Sequence, residues 1–443
     1  LVTDRDGHPK LTANGGVLDF PSLQPGDTLA AMAAQEQAPS QRGAHDTDPE
    51  PRYANPSWAY RVYLTSVDLD DQGIAHVYHV SDATPGEQKL VVRQRNPLVL
   101  FNLVVSVEWD ADAAYADQLT RAFQRASNYL YDLTDGQMAF GQVTIYDHAA
   151  HWNDADIQVS TENIVRPHSY VGGITDRDTS HVLRLGRFWD GDSGNQGAWD
   201  EPNGYRTLAH EFAHYALYLY DEYFAYTFDD NRAVTGERRG ACTAPTHAPA
   251  TDASNASVMD YQYTTSEFDA QNVPGLWSSL CRLTAQWQLN GESSWETIAR
   301  KYSDTQTPPR WHINTPMERG HVMPGPDVPD ASLGPLPAVV AHYGAGTAPR
   351  QLTVRDANGP YLGAIVALYK SDGRVIDQGF TDARGRLDIY GAAEGDTIRA
   401  ASFDAGLSGH VTVTADEALL LALAPLHGAG RAASNTAPAS PLP

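Results

Sequence analysis

The stretch from Tyr205 to Tyr223, YRTLAHEFAHYALYLYDEY, limits what this chain can be more than any other. Apolar residues recur at Leu208, Phe212, Ala213, Ala216, Leu217 and Leu219, the spacing of a helix with one buried face, and Asn203-Gly204 upstream offers a helix start. His210 and His214 are four positions apart, so on a helix their imidazoles stand about 40° apart round the axis and roughly 6 Å along it. That spacing fills two neighbouring corners of a zinc tetrahedron. Glu211, one step round, is placed to take a proton from a water that a bound zinc makes acidic, which is the chemistry of peptide hydrolysis. HExxH on a helix therefore reads as a metalloprotease site.

After His210 the chain reaches Asp221 within Asp221-Glu222-Tyr223, and further on Ser257-Val258-Met259-Asp260-Tyr261. These segments resemble the third-ligand and Met-turn segments of metzincin-like peptidases. The likeness is to the N-terminal protease domain of the calcium-activated chloride channel regulator family, which carries HExxH followed by an Asp-Glu pair at this offset. Bacterial immunoglobulin A peptidases have a similar HExxH...DEY arrangement. The stretch Tyr129 to Tyr146 (YLYDLTDGQMAFGQVTIY) and Ser279-Leu280-Cys281-Arg282 with Trp287 are also similar to that family, so the resemblance covers roughly Pro97 to Tyr302.

The resemblance implies a zincin fold with zinc held by His210, His214 and Asp221, and with Glu211 as general base and then proton donor. It implies Met259 as an apolar floor beneath the metal and Tyr261 as oxyanion stabiliser, as in astacin-like members. Tyr261 also reads as a packed tyrosine whose hydroxyl bonds backbone. One departure stands out. These families place a glycine seven or eight positions after the first His, where this chain has Leu217 and Tyr218. A helix continued through them would leave Asp221 about 16 Å along the axis from His210. A break near Tyr218 to Tyr220, made without glycine, is therefore expected, with Glu222 and Glu237 as substitute ligands.

At 443 residues the length suggests about three domains. A formal net charge of −24 and a pI near 4.9 set the chain against nucleic acid and anionic membrane as partners, since both would repel it. There is no apolar run long enough to span a membrane. A start at Leu1 without a signal peptide, and an Ala/Ser/Pro-rich end, read as part of a larger chain. The two cysteines, Cys242 and Cys281, flank the Met-turn segment. A disulfide between them suits a secreted or surface protein and stabilises by about 4 kcal/mol in the chain-entropy model. Two buried thiols are the other reading.

In chain order, 1–34 reads as the C-terminal part of a small β domain, because Leu18-Asp19-Phe20 and Gly26-Asp27-Thr28 are echoed by Leu387-Asp388-Ile389 and Gly395-Asp396-Thr397. Residues 35–56 read as linker. A β-rich N-terminal lobe over 57–96 carries strands at Tyr60–Leu64, Ile74–Tyr78 and Lys89–Val92. The protease domain, 97–302, opens with a buried strand over Leu98–Trp109. An amphipathic helix over Ala111–Leu133 follows, with Leu119, Ala122, Phe123, Ala126, Leu130 and Leu133 on one face. Strands are expected at Met138–Tyr146 and about His181–Phe188, then a helix over Pro274–Leu289 ended by Asn290-Gly291, and a capping box at Ser293-x-x-Glu296. Residues 303–349 form a Pro-rich linker. Short strands between Asn-Gly, Asp-Gly and Arg-Gly turns over 350–425 resemble a carboxypeptidase regulatory-like β-sandwich, and the composition of 426–443 reads as a disordered tail. The expected class is α+β, a zincin/metzincin-like catalytic domain flanked by small β-sandwich domains.

Two rival motifs are weaker. Gly191-Asp192-Ser193-Gly194, with His151 upstream, resembles the nucleophile loop of chymotrypsin-like proteases, but too little chain separates His151 from Ser193 for that double barrel. The same Asp-rich loop, ending at Asp200-Glu201, offers oxygen ligands for calcium, although it lacks the EF-hand order and a solvated turn is preferred. The functional expectation is a secreted or surface zinc-dependent endopeptidase whose protein or peptide substrate adds as a strand beside the sheet. The alternatives are a self-processing precursor that cleaves its own linker, and a non-catalytic surface or adhesion protein that retains the fold. An intact Glu211 favours the enzyme.

Overall fold

The structure is a computed structural model. It describes residues 2–3, 9–10, 25, 28–35, 59–66, 68–69, 75–76, 78–80, 89–163, 166–175, 180–190, 197–228, 234–239, 242, 257–260, 262–263, 265, 267–274, 276–319, 338–344, 346–415 and 418–426. The chain is mixed α and β, with several sheets and few helices, and divides into two compact units. The first comprises Leu1–Glu108 and Ala113–Tyr343, the second Trp109–Asp112 and Gly344–Pro443.

The first unit is built on one sheet. Its strands that matter for the site are, in chain order, β1 (Thr28–Ala34), β2 (Tyr60–Thr65), β3 (Arg93–Val107), β4 (Met138–Tyr146), β5 (Ile157–Val159), β6 (His168–Ser169), β7 (Leu183–Leu185) and β8 (Ala338–His342), with the two-residue strands Val2–Thr3, Pro9–Lys10 and Tyr78–His79 beyond or beside β1. β3 is central: Val99, Phe101, Leu103, Val105 and Val107 make one face fully buried, while Leu100, Asn102 and Val104 on the other are half-buried. β4 and β5 pair with it in parallel, β7 extends β5 in parallel, and β6 closes that side antiparallel to β7. β2 pairs antiparallel with the first half of β3, and β1 with β2.

Among the described residues the sheet is accompanied by helices α1 (Ala113–Leu133), α2 (Pro202–Tyr215), α3 (Ala285–Asn290) and α4 (Ser294–Tyr302), and by a single turn at Pro316–Arg319. α2 is fixed by its apolar face. The Phe212 ring sits edge-on to Phe101 of β3 at 5.0 Å and to Phe140 of β4 at 4.8 Å, while Phe123 of α1 lies 6.1 Å from Phe140 and Tyr302 of α4 lies 5.5 Å from Phe101. Polar bolts fix its height and rotation. Tyr215 donates to Asp156 Oδ1 (2.6 Å), whose Oδ2 accepts from the β3 amide of Val104 (2.8 Å), and Ser169 Oγ of β6 donates to the Glu211 carbonyl (2.8 Å).

Several sequence expectations are corrected. α2 starts at Pro202, whose fixed φ and missing N–H suit a first turn, so Asn203-Gly204 lies inside the helix. Gly204 is needed there: a Cβ would stand 2.4 Å from the Ala198 carbonyl. Lys89–Val92 is not a strand, and pairing starts at Arg93. Of the stretch 1–34, β1 joins β2 of 57–96 in the same sheet, where the edge amides of β2 find partners. Leu18-Asp19-Phe20 lies outside the described residues. The stretch 303–349 is more than linker: Trp311 and Ile313 are buried, and β8 pairs in parallel with β4.

The helix expected over Pro274–Leu289 is a 3₁₀ turn (Ser279–Leu283) followed by α3, which Gly291 ends at φ 74°. The capping-box residues do not cap α4. Ser293 Oγ and Glu296 Oε2 both accept from the Gln271 amide, at 3.2 and 3.4 Å, because that loop amide competes for them.

The second unit has two sheets. In one, Arg350–Asp356 pairs antiparallel with Arg386–Ile389 and parallel with Ala418–Ala422. In the other, Val375–Phe380, Ile365–Tyr369, Thr397–Ser402 and Leu407–Thr412 follow in antiparallel order. Alternate residues Leu352 and Val354, Val366 and Leu368, Leu419 and Leu421 are buried, giving each sheet one inner face, as in a β-sandwich. The sequence did not show that Trp109–Asp112 belongs here. Asp110 accepts from Lys370 Nζ and Arg374 Nη2, both at 2.9 Å, and buried Lys370 also meets Asp396 Oδ2 and the Gly391 carbonyl, both at 2.6 Å.

Phe212 joins the helix to both central strands, so Phe212→Ala should lower unfolding free energy by about 3–5 kcal/mol in urea titrations. A loss under about 1 kcal/mol would mean that the polar bolts, rather than the ring, hold α2.

Candidate metal centre

The site begins where α2 stops. The Ala216 and Leu217 amides donate to the Phe212 and Ala213 carbonyls (2.8 and 3.0 Å), then Tyr218 turns to φ 64° and the Leu219 amide reaches back to the Ala213 carbonyl (3.3 Å). The left-handed conformation costs a tyrosine about 1–2 kcal/mol relative to glycine. Contacts of the same residue offset it. Tyr218 Oη meets Thr175 Oγ1 at 2.6 Å, its carbonyl accepts from Asn290 Nδ2 at 3.0 Å, and Lys301 Nζ stands 3.9 Å from the ring centre. The ring passes so close to Gly172 that a Cβ there would stand 2.7 Å from it. Gly172 in turn donates its amide to the His214 carbonyl (2.9 Å), and Tyr302 Oη donates to the Ala216 carbonyl (2.7 Å). The helix thus ends at Tyr215, earlier than expected, and the chain doubles back through Tyr218 without glycine.

This turn brings Asp221 to the imidazoles. His210 Nδ1 lies 2.9 Å from the Val258 carbonyl, and His214 Nδ1 lies 2.7 Å from the Leu219 carbonyl. A carbonyl oxygen only accepts, so each Nδ1 carries a proton and, in the neutral ring, each Nε2 keeps its lone pair. Asp221 Oδ1 is 3.1 Å from His214 Nε2 and 3.5 Å from His210 Nε2, and one ligand atom from each residue falls within 4.8 Å of the others. With both rings neutral, three acceptors therefore face one point, and buried Asp221 Oδ1 has a donor only when an imidazole takes a second proton. A cation on two imidazole nitrogens and one carboxylate oxygen removes that conflict, so this group can hold a metal ion. The imidazole side chains are 5% and 10% exposed and that of Asp221 is 34%, so the centre opens on the Asp221 side. Glu211, between the two histidines on α2, is 8% exposed.

Without a cation a proton must take its place. Burial alone would lower the His214 pKa, but the Asp221 carboxylate outweighs it, with Glu211 and the Leu219 carbonyl adding, and pushes it up to about 9. Burial raises the Asp221 carboxyl, and the two imidazoles overcome this and hold it well below the usual carboxylate range.

Met259 and Val258 are fully buried. Their turn is tied to the centre from both sides: the Glu222 amide donates to the Met259 carbonyl (2.9 Å) and the Val258 amide to the Glu267 carbonyl (2.7 Å). Glu222 faces elsewhere, accepting from Ser294 Oγ at 2.7 Å and grouping with Cys242, Asp269 and Cys281. Burial first, and then the charge of Asp269, raise its carboxyl well above the ordinary range. Glu237 lies on Val234–Arg239, opposite Tyr226 in a two-stranded hairpin. Tyr261 and residues 191–196, which include Ser193 and the middle of the calcium-candidate loop, lie outside the described residues. His151 pairs with Asp154 at 3.2 Å. Cys242 and Cys281 form a disulfide, so the two-thiol reading falls. Sequence reasoning missed the Val258 and Leu219 carbonyls, Ser169 and Asp156. Backbone carbonyls leave no sequence signal, and the two side chains lie outside any motif.

No family model matches the chain, and no curated protein matches it. Among solved structures, the C-terminal domain of the PapC usher is 24% identical with a TM-score of 0.14, over 18% of this chain and 100% of that one. A double mutant of shaft pilin SpaA from Lactobacillus rhamnosus GG is 14% identical with a TM-score of 0.15, over 20% of this chain and 52% of that one. Likenesses this small carry no conclusion about fold or function. Among the described residues no helix is long and apolar enough to cross a membrane.

Because a cation must displace the His214 proton, apparent metal affinity should rise about tenfold per pH unit until about pH 9. Calorimetric titration in two buffers of different ionisation enthalpy should find about one proton released per metal near neutral pH. Uptake without proton release would show that the metal binds away from His214.

Proposed function

We propose that this chain is a secreted or surface zinc-dependent endopeptidase with a metzincin-like catalytic domain. The observation that carries the reading is the convergence of His210 Nε2, His214 Nε2 and Asp221 Oδ1, with both Nδ1 atoms committed to carbonyls and Glu211 between the histidines. The donor set, two imidazoles and a carboxylate with an open side, suits zinc in a hydrolytic site. Zinc held there supplies a Lewis acid that lets a water lose its proton near neutral pH. Glu211 would serve as the base that accepts the water's proton and as the acid that returns it to the departing amine. The Val258 and Leu219 carbonyls keep both imidazoles in the tautomer that aims Nε2 inward.

β6 lies at the sheet edge, antiparallel to β7, with Ser169 bonded to the Glu211 carbonyl. An extended peptide paired to this edge would lie beside Glu211, with its scissile carbonyl facing the open side of the centre. The second unit, read as a carboxypeptidase regulatory-like β-sandwich, would space or bind. The Cys242–Cys281 disulfide supports an extracellular setting.

The test is metal content by mass spectrometry on wild type, Asp221→Ala and Glu211→Gln, with casein cleavage and self-cleavage assayed together. Wild type should hold about one zinc and cleave casein. Glu211→Gln should keep the zinc and lose at least about a hundredfold in rate, and Asp221→Ala should lose both. Zinc retained by Asp221→Ala would move the third ligand elsewhere, and a zinc-loaded wild type that cleaves nothing would remove the enzyme reading.

A further inference from the structure

Behind the histidine centre lies a second polar cluster. Glu222, Cys242 and Asp269 are fully buried and Cys281 is 1% exposed, and one ligand atom from each falls within 4.8 Å of the others. Ser294 supplies two donors, its Oγ to Glu222 Oε1 (2.7 Å) and its amide to Asp269 Oδ1 (2.8 Å). Ser257 also bonds the Glu222 carboxyl, and Glu222 and Asp269 share a hydrogen bond through the proton that burial keeps on the pair. Asp269 Oδ2 lies 3.0 Å from Cys281 Sγ, which as a disulfide sulfur has no hydrogen to give. Two carboxylates and two sulfurs thus meet in one fully buried cluster, with a ligand atom of each within reach of a single ion.

We propose that reduction of the Cys242–Cys281 disulfide converts this cluster into a second metal site, taking a borderline-soft divalent cation of the zinc type on two thiolates and the carboxylates of Glu222 and Asp269. The steps balance. A dithiol reductant gives two electrons and two protons to the S–S bond, yielding two thiols and closing to its own disulfide. The cation then binds as the two thiols and the carboxyl pair lose their protons. Two sulfurs and two oxygens form a four-ligand shell without an open position, the pattern of a structural site.

The consequence reaches the first centre through the chain itself. Glu222 follows Asp221 directly, and its amide holds the Met259 carbonyl. A disulfide in one redox state and a metal in the other cross-link the same joint, so the Asp221 turn keeps its anchor in both.

Cobalt(II) is the probe, because a thiolate ligand adds a near-ultraviolet charge-transfer band that nitrogen and oxygen ligands do not. The full chain is titrated oxidised, and again after anaerobic dithiol treatment and removal of the reductant. Oxidised protein should take about one equivalent without the thiolate band, and reduced protein about two with it. In the reduced Glu222→Gln/Asp269→Asn double variant the thiolate-band equivalent should bind at least about tenfold more weakly, while the first equivalent is unchanged. Reduced protein that takes no more cobalt than oxidised protein would overturn the proposal. So would a thiolate band of equal affinity in the double variant, which is what an unfolded chain's thiols would give. The first centre reads out independently, since its ligands carry no sulfur.

Discussion

Two backbone carbonyls decide what the two imidazoles can do. The oxygens of Val258 and Leu219 each accept from an Nδ1, which fixes the tautomer and turns both Nε2 lone pairs toward Asp221. Helical spacing alone puts the rings on one face but does not choose which nitrogen points inward. That choice comes from two loops, so the centre is only as well formed as the loops are. The first is held by the left-handed Tyr218 and its contacts with Thr175, Asn290 and Lys301. The second is held by the Glu222 and Glu267 backbone contacts.

The same helix serves two purposes on two faces. Phe212 lies between His210 and His214 in sequence, yet its ring is buried against Phe101 and Phe140 while the two imidazoles face the centre. Alternate roles at neighbouring positions are what a 100° turn per residue allows. Tyr215 and Ser169 then set the helix against β3 and β6. Strain is concentrated where the chain leaves this frame, at Tyr218, and is tolerated because several contacts fix the one residue.

Much of this was legible in the sequence where periodicity or motif spacing carries the signal. The apolar run of β3, the buried stripe of α1 and the alternation in the second unit all follow their patterns, and the mixed α and β class follows from them. β5 was missed because three residues give no period, and Lys89–Val92 was misplaced because an apolar run does not say where pairing starts. Around the centre, the histidine spacing and the offset of Asp221 could be read. The way Asp221 returns could not, since a tyrosine gives no sign that it will adopt a glycine-like φ. Nor could the place of Trp109–Asp112, which a continuous strand assignment hid and which the buried charge of Lys370 explains.

The most direct test of this account is the protonation of the two imidazole rings in the metal-loaded protein. Nitrogen NMR of ¹⁵N-histidine-labelled, zinc-loaded protein, assigned with His210→Ala and His214→Ala, reads each ring nitrogen separately. The account predicts a protonated Nδ1 and a metallated Nε2 for both residues, with the Nδ1 protons hydrogen-bonded and slow to exchange. Metal on Nδ1 of either ring, or two rings unaffected by zinc, would contradict it.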